Sequence, residues 1–257
     1  MTTPERRSLR LAAVGDLHYG RVGGGPLQML LDAVAGQADV LAICGDLTDT
    51  GHPDEARALA RELAGAKVPI VAVLGNHDYE SGRTGELVEI FADSGVTVLD
   101  GTASVLLGVG FAGVKGFAGG FGRRALGPWG EPAIKLFVRE ALDEALKLET
   151  ALARLDTPRR VVLMHYSPIQ ATVEGEPLEI YPYLGSSRLE EPLGRYPVDA
   201  VFHGHAHHGT PEGRTRAGVP VYNVSLALLQ RIRPGQPPFR VLELPRRIDG
   251  PPDGLRA

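Results

Sequence analysis

The sequence predicts an α/β fold built on a sheet whose strands are mainly parallel. Short apolar runs alternate with segments of helical period over the first hundred residues, which is the pattern of successive strand-helix-strand units. Each of the first three apolar runs ends in a glycine followed by a polar residue. The chain has 257 residues, of which 43% are hydrophobic, and this is enough for one sizeable core in a single domain.

The first half of this fold follows from three strands and three helices in turn. The apolar runs predict strands at residues 9–14, 40–44 and 70–74. Apolar residues at helical spacing predict helices at residues 27–34, 53–66 and 86–91. The second of these has Pro53 near its start, where a missing backbone N–H does no harm, and Asp54 and Glu55 suit the positive end of its dipole.

The second half of the chain predicts strands of both directions. Residues 96–114 hold short β-like pieces with little room for helices between them, which predicts antiparallel or edge strands and therefore a mixed sheet. Residues 115–131 are rich in glycine and aromatic side chains and predict a long loop. The remaining predicted elements are a helix at 132–155 and strands at 161–164, 200–202, 219–223 and 239–244. The domain is predicted to cover residues 1–245, followed by a Pro-rich tail at 246–257.

The charge and cysteine content exclude several classes of protein. A formal net charge of −4 argues against a protein that holds nucleic acid or an anionic membrane by bulk electrostatics. Cys44 is the only cysteine, so an internal disulfide framework and a cysteine-based zinc finger are excluded. The apolar stretch near the N-terminus is too short for a signal sequence or a membrane span. We therefore expect a cytoplasmic protein with no membrane contact and no stable nucleic-acid complex.

The histidines indicate where the chemistry lies. Seven of the eight fall in four short segments, each following an apolar strand-like run. Functional groups in open α/β sheets converge at the carboxyl ends of strands. Ligand-type residues follow five such ends: Asp16, His18, Asp46, Asp49, Asn76, His77, Asp78, His165, His205 and His207. Carboxylate, amide and imidazole groups without thiolate suit Mn, Fe, Zn or Ni. We expect about seven of these residues to be ligands, which is more than the four that one tetrahedral ion needs, so two ions are expected.

In chain order these segments read D-x-H, G-D-x-x-D, G-N-H-D, a single H after a strand, and G-H-x-H. In this order they resemble the calcineurin-like metallophosphoesterase superfamily, over roughly residues 9–223. The resemblance implies a single α/β domain of two mixed β-sheets packed face to face and flanked by helices, a four-layer αββα sandwich. It also implies a phosphoesterase that holds two divalent transition metal ions per chain.

The resemblance also implies a role for each matching residue. The implied ligand sets are Asp16, His18 and His207 for the first ion and Asn76, His165 and His205 for the second, with Asp46 bridging both. Two ions about 3.5–4 Å apart lower the pKa of a shared water, which implies hydrolysis of phosphate esters by a metal-bridging hydroxide. His77 is expected to stabilise the developing charge or to protonate the leaving oxygen, and Asp78 to orient its ring. Asp49 either supports a ligand histidine or caps a helix, and Asp78 has the same capping alternative.

Substrate contacts are predicted from loops beside these segments. Arg123 and Arg124, with Lys115, lie in the long Gly-rich loop, which is a lid over substrate phosphate, a solvated loop or a subunit contact. Further candidates near the strand ends are Tyr19, Arg21, Tyr166 and Tyr183. His203 and His208 flank the last ligand pair and are expected to be packing residues or to support a ligand, not to bind metal.

The expected substrate is a small phosphate ester. A phosphodiester, including a cyclic nucleotide, is favoured because the ligand segments hold no Arg or Lys besides Arg21 to recognise the extra oxygens of a monoester. Three alternatives stay open. They are a phosphomonoesterase acting on a small phosphorylated metabolite, a non-catalytic metal-binding scaffold, and a nuclease. Scaffolds that resemble this superfamily typically lack the histidine at the position of His77, and a nuclease would need a basic groove or a capping domain.

Overall fold

The computed structural model describes residues 8–20 and 25–245 and has an α/β fold with two mixed sheets. The first sheet contains β1 (Ser8–Val14), β2 (Val40–Cys44), β3 (Ile70–Val73), β4 (Val96–Val98) and β11 (Arg240–Pro245). The second contains β5 (Thr102–Leu106), β6 (Val109–Gly113), β7 (Arg160–Leu163), β8 (Ala200–His203), β9 (Glu212–Arg214) and β10 (Pro220–Asn223). The predicted fold class is therefore confirmed.

Most strands are parallel to their neighbours. In the first sheet the order is β11-β1-β2-β3-β4, and only β11 runs antiparallel. In the second sheet the order is β5-β6-β7-β8-β10-β9, with β5 and β9 as antiparallel edges. The carboxyl ends of the parallel strands of each sheet therefore lie along one edge of that sheet.

Seven helices of the described chain flank the sheets. They are α1 (Gly25–Gln37), α2 (Pro53–Leu63), α3 (Thr84–Asp93), α4 (Pro132–Ala153), α5 (Tyr181–Leu184), α6 (Glu190–Leu193) and α7 (Leu226–Ile232). Alternation along the strands divides the apolar side chains between layers. On β1, Leu9 and Leu11 join a core shared with residues of the second sheet, whereas Ala12 and Val14 join the core that holds α1 and α2. A third core lies between the second sheet and α4, which completes the predicted layers.

The structure differs from the sequence prediction in its short elements. β4 pairs in parallel with β3, and within residues 96–114 the antiparallel pair is β5 with β6. Strand β9 and helices α5, α6 and α7 were not predicted, because three to seven residues give too little periodicity to be read. No helix in the described ranges is long and apolar enough to cross a membrane. The predicted tail at 246–257 lies outside the described residues.

Candidate metal centre

The candidate site lies where the carboxyl ends of the two sheets meet. Loops after β1, β2 and β3 carry the candidates of the first sheet, and loops after β7 and β8 carry those of the second. Hydrogen bonds join the two edges, since the backbone N–H of Gly15 donates to the carbonyl of Val224 at 2.8 Å. Within the first sheet, the N–H of His18 donates to the carbonyl of Asp46 at 3.0 Å. The loops are therefore fixed to one another.

Four of the candidates have a backbone conformation that non-glycine residues rarely adopt. The φ angle is 59° at Asp16, 43° at His18, 47° at Asp46 and 69° at His205. In the described part of the chain, the one other such residue is Leu107, in the hairpin between β5 and β6. Each such residue costs about 1–3 kcal/mol and persists only where its surroundings hold it. Backbone strain is thus concentrated at the candidate site.

Two motif glycines allow these loops to approach closely. Gly45 has a φ of +82°, and a Cβ built on it would overlap the ring of His165. A Cβ on Gly204 would overlap the carboxylate of Asp16. The glycine of G-D-x-x-D and the glycine of G-H-x-H therefore each make room for a candidate ligand from another loop.

Asp16, His18 and His207 form one group whose ligand atoms all lie within 4.8 Å of one another. Nε2 of His207 is 3.1 Å from Oδ1 of Asp16. The backbone N–H of His205 donates to both oxygens of Asp16, at 2.9 and 3.0 Å. Both ring nitrogens of His18 are buried and make no hydrogen bond in the structure. Because buried polar atoms are nearly always satisfied, this ring has the properties expected of a metal ligand.

Asp46, His165 and His205 form a second group within the same distance of one another. Nε2 of His165 is 2.8 Å from Oδ1 of Asn76 and 3.4 Å from Oδ2 of Asp46. The same oxygen of Asp46 is 3.8 Å from Nε2 of His18, which belongs to the first group. Asp46 therefore lies between the two groups.

Backbone carbonyls fix the orientation of two candidate rings. Nδ1 of His165 is 3.1 Å from the carbonyl oxygen of Cys44, and Nε2 of His205 is 3.1 Å from the carbonyl oxygen of Tyr183. A carbonyl accepts a proton and does not donate one, so each contact assigns the N–H to that nitrogen. The opposite nitrogens, Nε2 of His165 and Nδ1 of His205, then carry the lone pair when the rings are neutral.

Carboxylates control the charge of two of the imidazoles. Burial works against charging His165, but the carboxylate of Asp46 outweighs it and raises the pKa of His165 to about 9. Burial alone would raise the pKa of Asp46, yet His165 and the N–H of His77 hold that pKa well below its usual range. The pKa of His207 is raised, first by its hydrogen bond to Asp16. A cation bound at these pairs would therefore replace a proton.

The other two imidazoles are neutral near pH 7. Burial lowers the pKa of His205 to about 3, and burial also lowers the pKa of His18. Their lone pairs are therefore available without loss of a proton. Together with the carboxylates and the Asn76 amide, the donor set consists of nitrogen and oxygen, which suits Mn, Fe, Zn or Ni better than the all-oxygen sites of calcium. The residues fit the metal type that the sequence predicts.

His77 lies beside the first group, and a hydrogen bond at one of its two ring nitrogens fixes the orientation of the ring. Its Nδ1 is 2.6 Å from the carbonyl oxygen of Asp49, and its ring centroid is 4.6 Å from that of His18. The side chain is 28% exposed. His18, Asp49 and His77 form a third group of possible ligands, which shares His18 with the first. The ring of His77 is thus within reach of a group bound at the first site.

Asp78 has a different contact set from the one predicted. Its buried carboxylate accepts hydrogen bonds from the N–H groups of Leu47, Thr48 and Gly75 at 3.1, 2.8 and 2.8 Å, and from Oγ1 of Thr48 at 2.6 Å. Burial raises its pKa to about 6. It therefore joins the loops after β2 and β3, whereas the ring of His77 is oriented by the Asp49 carbonyl.

Two of the three tyrosines predicted to contact substrate, Tyr19 and Tyr166, have different surroundings. The hydroxyl of Tyr19 donates to Oε1 of Glu62 on α2 at 2.5 Å. The ring of Tyr166 is buried, with its centroid 4.5 Å from that of His205 and 5.5 Å from that of His165. The structure therefore brings Tyr166 to the second group and places the Tyr19 hydroxyl at α2. Arg21 lies outside the described residues.

Arg123 and Arg124 of the Gly-rich loop are not brought to the ligand groups, whereas the backbone carbonyl of Lys115 accepts a hydrogen bond from the N–H of His165 at 2.9 Å. Arg123 and Arg124 lie exposed in a short 3₁₀ turn. Arg123 lines a cavity of about 720 Å³ together with Arg188 and Arg216, and none of the candidate ligands lines it. Lys115 is buried, with Nζ 4.8 Å from the centroid of the Phe117 ring and other aromatic rings nearby. The burial of Lys115 argues against the solvated-loop alternative at this residue.

Some contacts at the site were missed by sequence reasoning. Nη1 of Arg231 on α7 donates to the carbonyl of His207 at 3.1 Å and lies 3.0 Å from Nδ1 of His208. His203 is buried between Thr172 and the carbonyl of Gly204, and burial lowers its pKa to about 4. No motif marks Arg231 or the backbone carbonyls, because they reach the site through tertiary structure alone.

A family model described as calcineurin-like phosphoesterase matches residues 9–209, which include every candidate ligand. The structure is similar to that of a phosphopantetheinyl hydrolase from Mycobacterium tuberculosis, with a TM-score of 0.65 and 17% identity over 95% of this chain and 98% of that one. It is also similar to that of TT1561 of Thermus thermophilus, with a TM-score of 0.56 and 16% identity over 92% and 98% of the two chains. These likenesses show the fold. A comparison with curated proteins gives no match.

Proposed function

The chain belongs to the calcineurin-like phosphoesterase family, and we propose that it hydrolyses small phosphate esters, with a preference for diesters, using two divalent transition metal ions. The observation that carries this proposal is the position of Asp46. One of its oxygens lies 3.4 Å from His165 in one ligand group and 3.8 Å from His18 in the other. A shared carboxylate between two donor groups is the arrangement that a two-metal site requires.

The proposed ligands are the residues of the two groups. They are Asp16, His18 and His207 for one ion and Asn76, His165 and His205 for the other, with Asp46 shared. When bound, two such ions polarise phosphoryl oxygens and lower the pKa of water toward neutrality. The protein contributes the fixed positions: strained loops and backbone carbonyls hold the rings, so that little reorganisation is needed on binding. We propose Mn, Fe, Zn or Ni as the ions.

His77 is proposed as the residue that acts on the leaving group. The Asp49 carbonyl accepts the hydrogen bond of Nδ1, so Nε2 is the nitrogen left to hold or donate a proton. The partial exposure of the ring and its contact with His18 leave it open to a substrate at the first group. In this position it stabilises negative charge on the leaving oxygen or protonates it.

The charge of the surroundings favours a diester. Two carboxylates and two dications leave a local charge of about +2, which attracts a phosphate ester of either kind. A monoester dianion is usually recognised by further fixed cations. Among the described residues, one cationic side chain, Arg231, donates a hydrogen bond to a loop that carries candidate ligands. Its acceptor there is the backbone carbonyl of His207. A diester monoanion needs no more than the ions and a donor such as His77.

A comparison of two chromogenic esters tests the preference. With Mn²⁺ at neutral pH, we expect bis(p-nitrophenyl) phosphate to be hydrolysed with a higher kcat/KM than p-nitrophenyl phosphate. Arg123→Ala and Arg124→Ala should leave this order unchanged, and Arg195→Ala, which removes an exposed arginine paired with Glu149, is the matched control. A monoester preference that Arg123→Ala or Arg124→Ala abolishes would overturn the proposal and make the Gly-rich loop the phosphate clamp. Hydrolysis of neither ester by fully metal-loaded protein would favour a scaffold.

The position of Cys44 bears on the proposed location. Its thiol is fully buried, and burial raises its pKa well above the ordinary value. A buried, protonated thiol is unreactive and forms no disulfide. Because the sequence has a single cysteine and so no internal disulfide, as is usual for proteins of reducing compartments, we propose the cytoplasm as the place where the protein works.

A further inference from the structure

The segment at 173–184 is fixed against the loop that carries two candidate ligands. Ala206, between His205 and His207, is buried in a small cluster with Val173 and Leu184. The carbonyl of Tyr183 accepts the hydrogen bond of the His205 ring at 3.1 Å. The backbone of residue 183 is therefore in direct contact with the candidate metal centre.

Three large apolar side chains on this segment remain exposed. Leu178 is 73% exposed, Tyr183 61% and Ile180 38%. We call these three residues the apolar rim. Single exposed apolar residues are ordinary, but these three lie within six positions of one another, on a segment whose backbone contacts the candidate metal centre. Other exposed leucines, such as Leu146 on α4, belong to a helix that contributes no candidate ligand.

The charge of the same segment restricts what the rim can bind. It contains Glu174, Glu176 and Glu179, and residues 173–187 include no lysine or arginine. Glu176 accepts a hydrogen bond from the N–H of His208 at 2.6 Å, which places one carboxylate next to the ligand loop. Salt screens a charge only beyond about 8 Å at physiological ionic strength. The carboxylate of Glu176 therefore repels a polyanion that approaches the ligand loop. The segment itself therefore offers no cation to a nucleic-acid strand or to an anionic lipid surface.

We propose that the apolar rim binds the uncharged, apolar ester group of a phosphodiester whose phosphate lies at the metal centre. This inference rests on the proposed function and names its substrate class: a phosphodiester with an alkyl or aryl alcohol on at least one side. The rim supplies apolar contact area, and the glutamates exclude substrates with additional negative charge near that group. The backbone carbonyl of Tyr183 contacts the ring of His205, so one residue of the rim is adjacent to the second ligand group.

Two p-nitrophenyl esters that differ only in the second alcohol test this inference. We expect Mn²⁺-loaded protein to hydrolyse p-nitrophenyl hexyl phosphate with a kcat/KM at least about tenfold above that of p-nitrophenyl methyl phosphate, which corresponds to the burial of roughly two methylene groups. In the double variant Leu178→Ser/Tyr183→Ser the ratio should fall toward one. Leu146→Ser replaces a leucine on α4 that is 58% exposed; it is the matched control and should keep the ratio. Thermal unfolding checks that each variant is folded.

A binding measurement separates this inference from the proposed catalysis. Calorimetric titration of the Mn²⁺-loaded protein with hexylphosphonate and methylphosphonate should give at least about tenfold tighter binding of the hexyl compound, lost in the double variant. If this holds but neither ester is hydrolysed, the rim is supported and the proposed function fails. If the esters are hydrolysed with no effect of chain length, or if the double variant keeps the hexyl preference, the rim inference is overturned.

Discussion

Replacing Asp46 by asparagine is expected to lower the rate of bis(p-nitrophenyl) phosphate hydrolysis below the detection limit of the assay. Asp46 lies between the two ligand groups, so the variant should lose one or both ions. The activity loss should exceed about 10³-fold, the upper range for removal of a single charge-stabilising donor. The buried carboxylate is also the acceptor for the N–H of His77 at 2.9 Å, and the asparagine side-chain oxygen can retain that contact. Metal analysis and initial rates measure both effects.

The control for this variant is an aspartate outside the site. Asp93 is exposed at the end of α3, and Asp93→Asn should leave metal content and kcat unchanged. Thermal unfolding separates a local loss of metal from general unfolding. An Asp46→Asn protein that retains two ions and more than a tenth of the wild-type rate would contradict the shared role of this carboxylate.

His77→Ala is expected to lower kcat by about 10²-fold or more, the usual scale for a positioned proton donor, while metal content stays near the wild-type value. The reason is geometric: the ring is oriented by the Asp49 carbonyl and packs against His18, and the two proposed ligand sets are complete without it. The third group, in which His77 accompanies His18 and Asp49, gives the alternative that His77 is itself a metal ligand. In that case the variant would lose metal as well as activity.

His52→Ala supplies the matched histidine control. His52 is exposed at the N-terminus of α2, where its Nδ1 accepts from the N–H of Asp54, and its loss should leave kcat unchanged. Stepwise Mn²⁺ titration of both variants gives the decisive comparison. If the His77→Ala protein loses an ion together with its activity, His77 is a metal ligand. This result would contradict its proposed role at the leaving group.

The sequence predicts those features of the fold and the site that depend on a local or repeated pattern of residues. Strand β2 is buried at every position, as expected for a strand covered on both sides, and its apolar run predicted its bounds. The motifs predicted that residues as far apart as Asp16 and His207 belong to one site, and the structure puts their side chains 3.1 Å apart. The order of the strands predicted that their polar ends converge, and the family resemblance supplied the grouping of these two residues.

Contacts made by the backbone or by short elements were not predictable. Helices α5 and α6 have four residues each and contain Pro182 and Pro192, so neither periodicity nor helix propensity marks them. The contact of the Tyr183 carbonyl with His205 depends on where α5 lies, and carbonyls have no sequence signature. For Asp78, adjacency to His77 suggested a ring contact, but its carboxylate accepts hydrogen bonds from three backbone amides. Local sequence does not encode that competition.

The number of ions bound per chain tests the two-metal site most directly. The wild-type protein, stripped with a chelator and reconstituted with Mn²⁺, should bind close to two ions per chain by elemental analysis, and hydrolysis of bis(p-nitrophenyl) phosphate should be lost on stripping and return on reconstitution. Low-temperature electron paramagnetic resonance should then show a spin-coupled Mn²⁺ pair. One ion or fewer per chain with full activity, or two ions without magnetic coupling, would contradict a centre in which Asp46 joins both ligand groups.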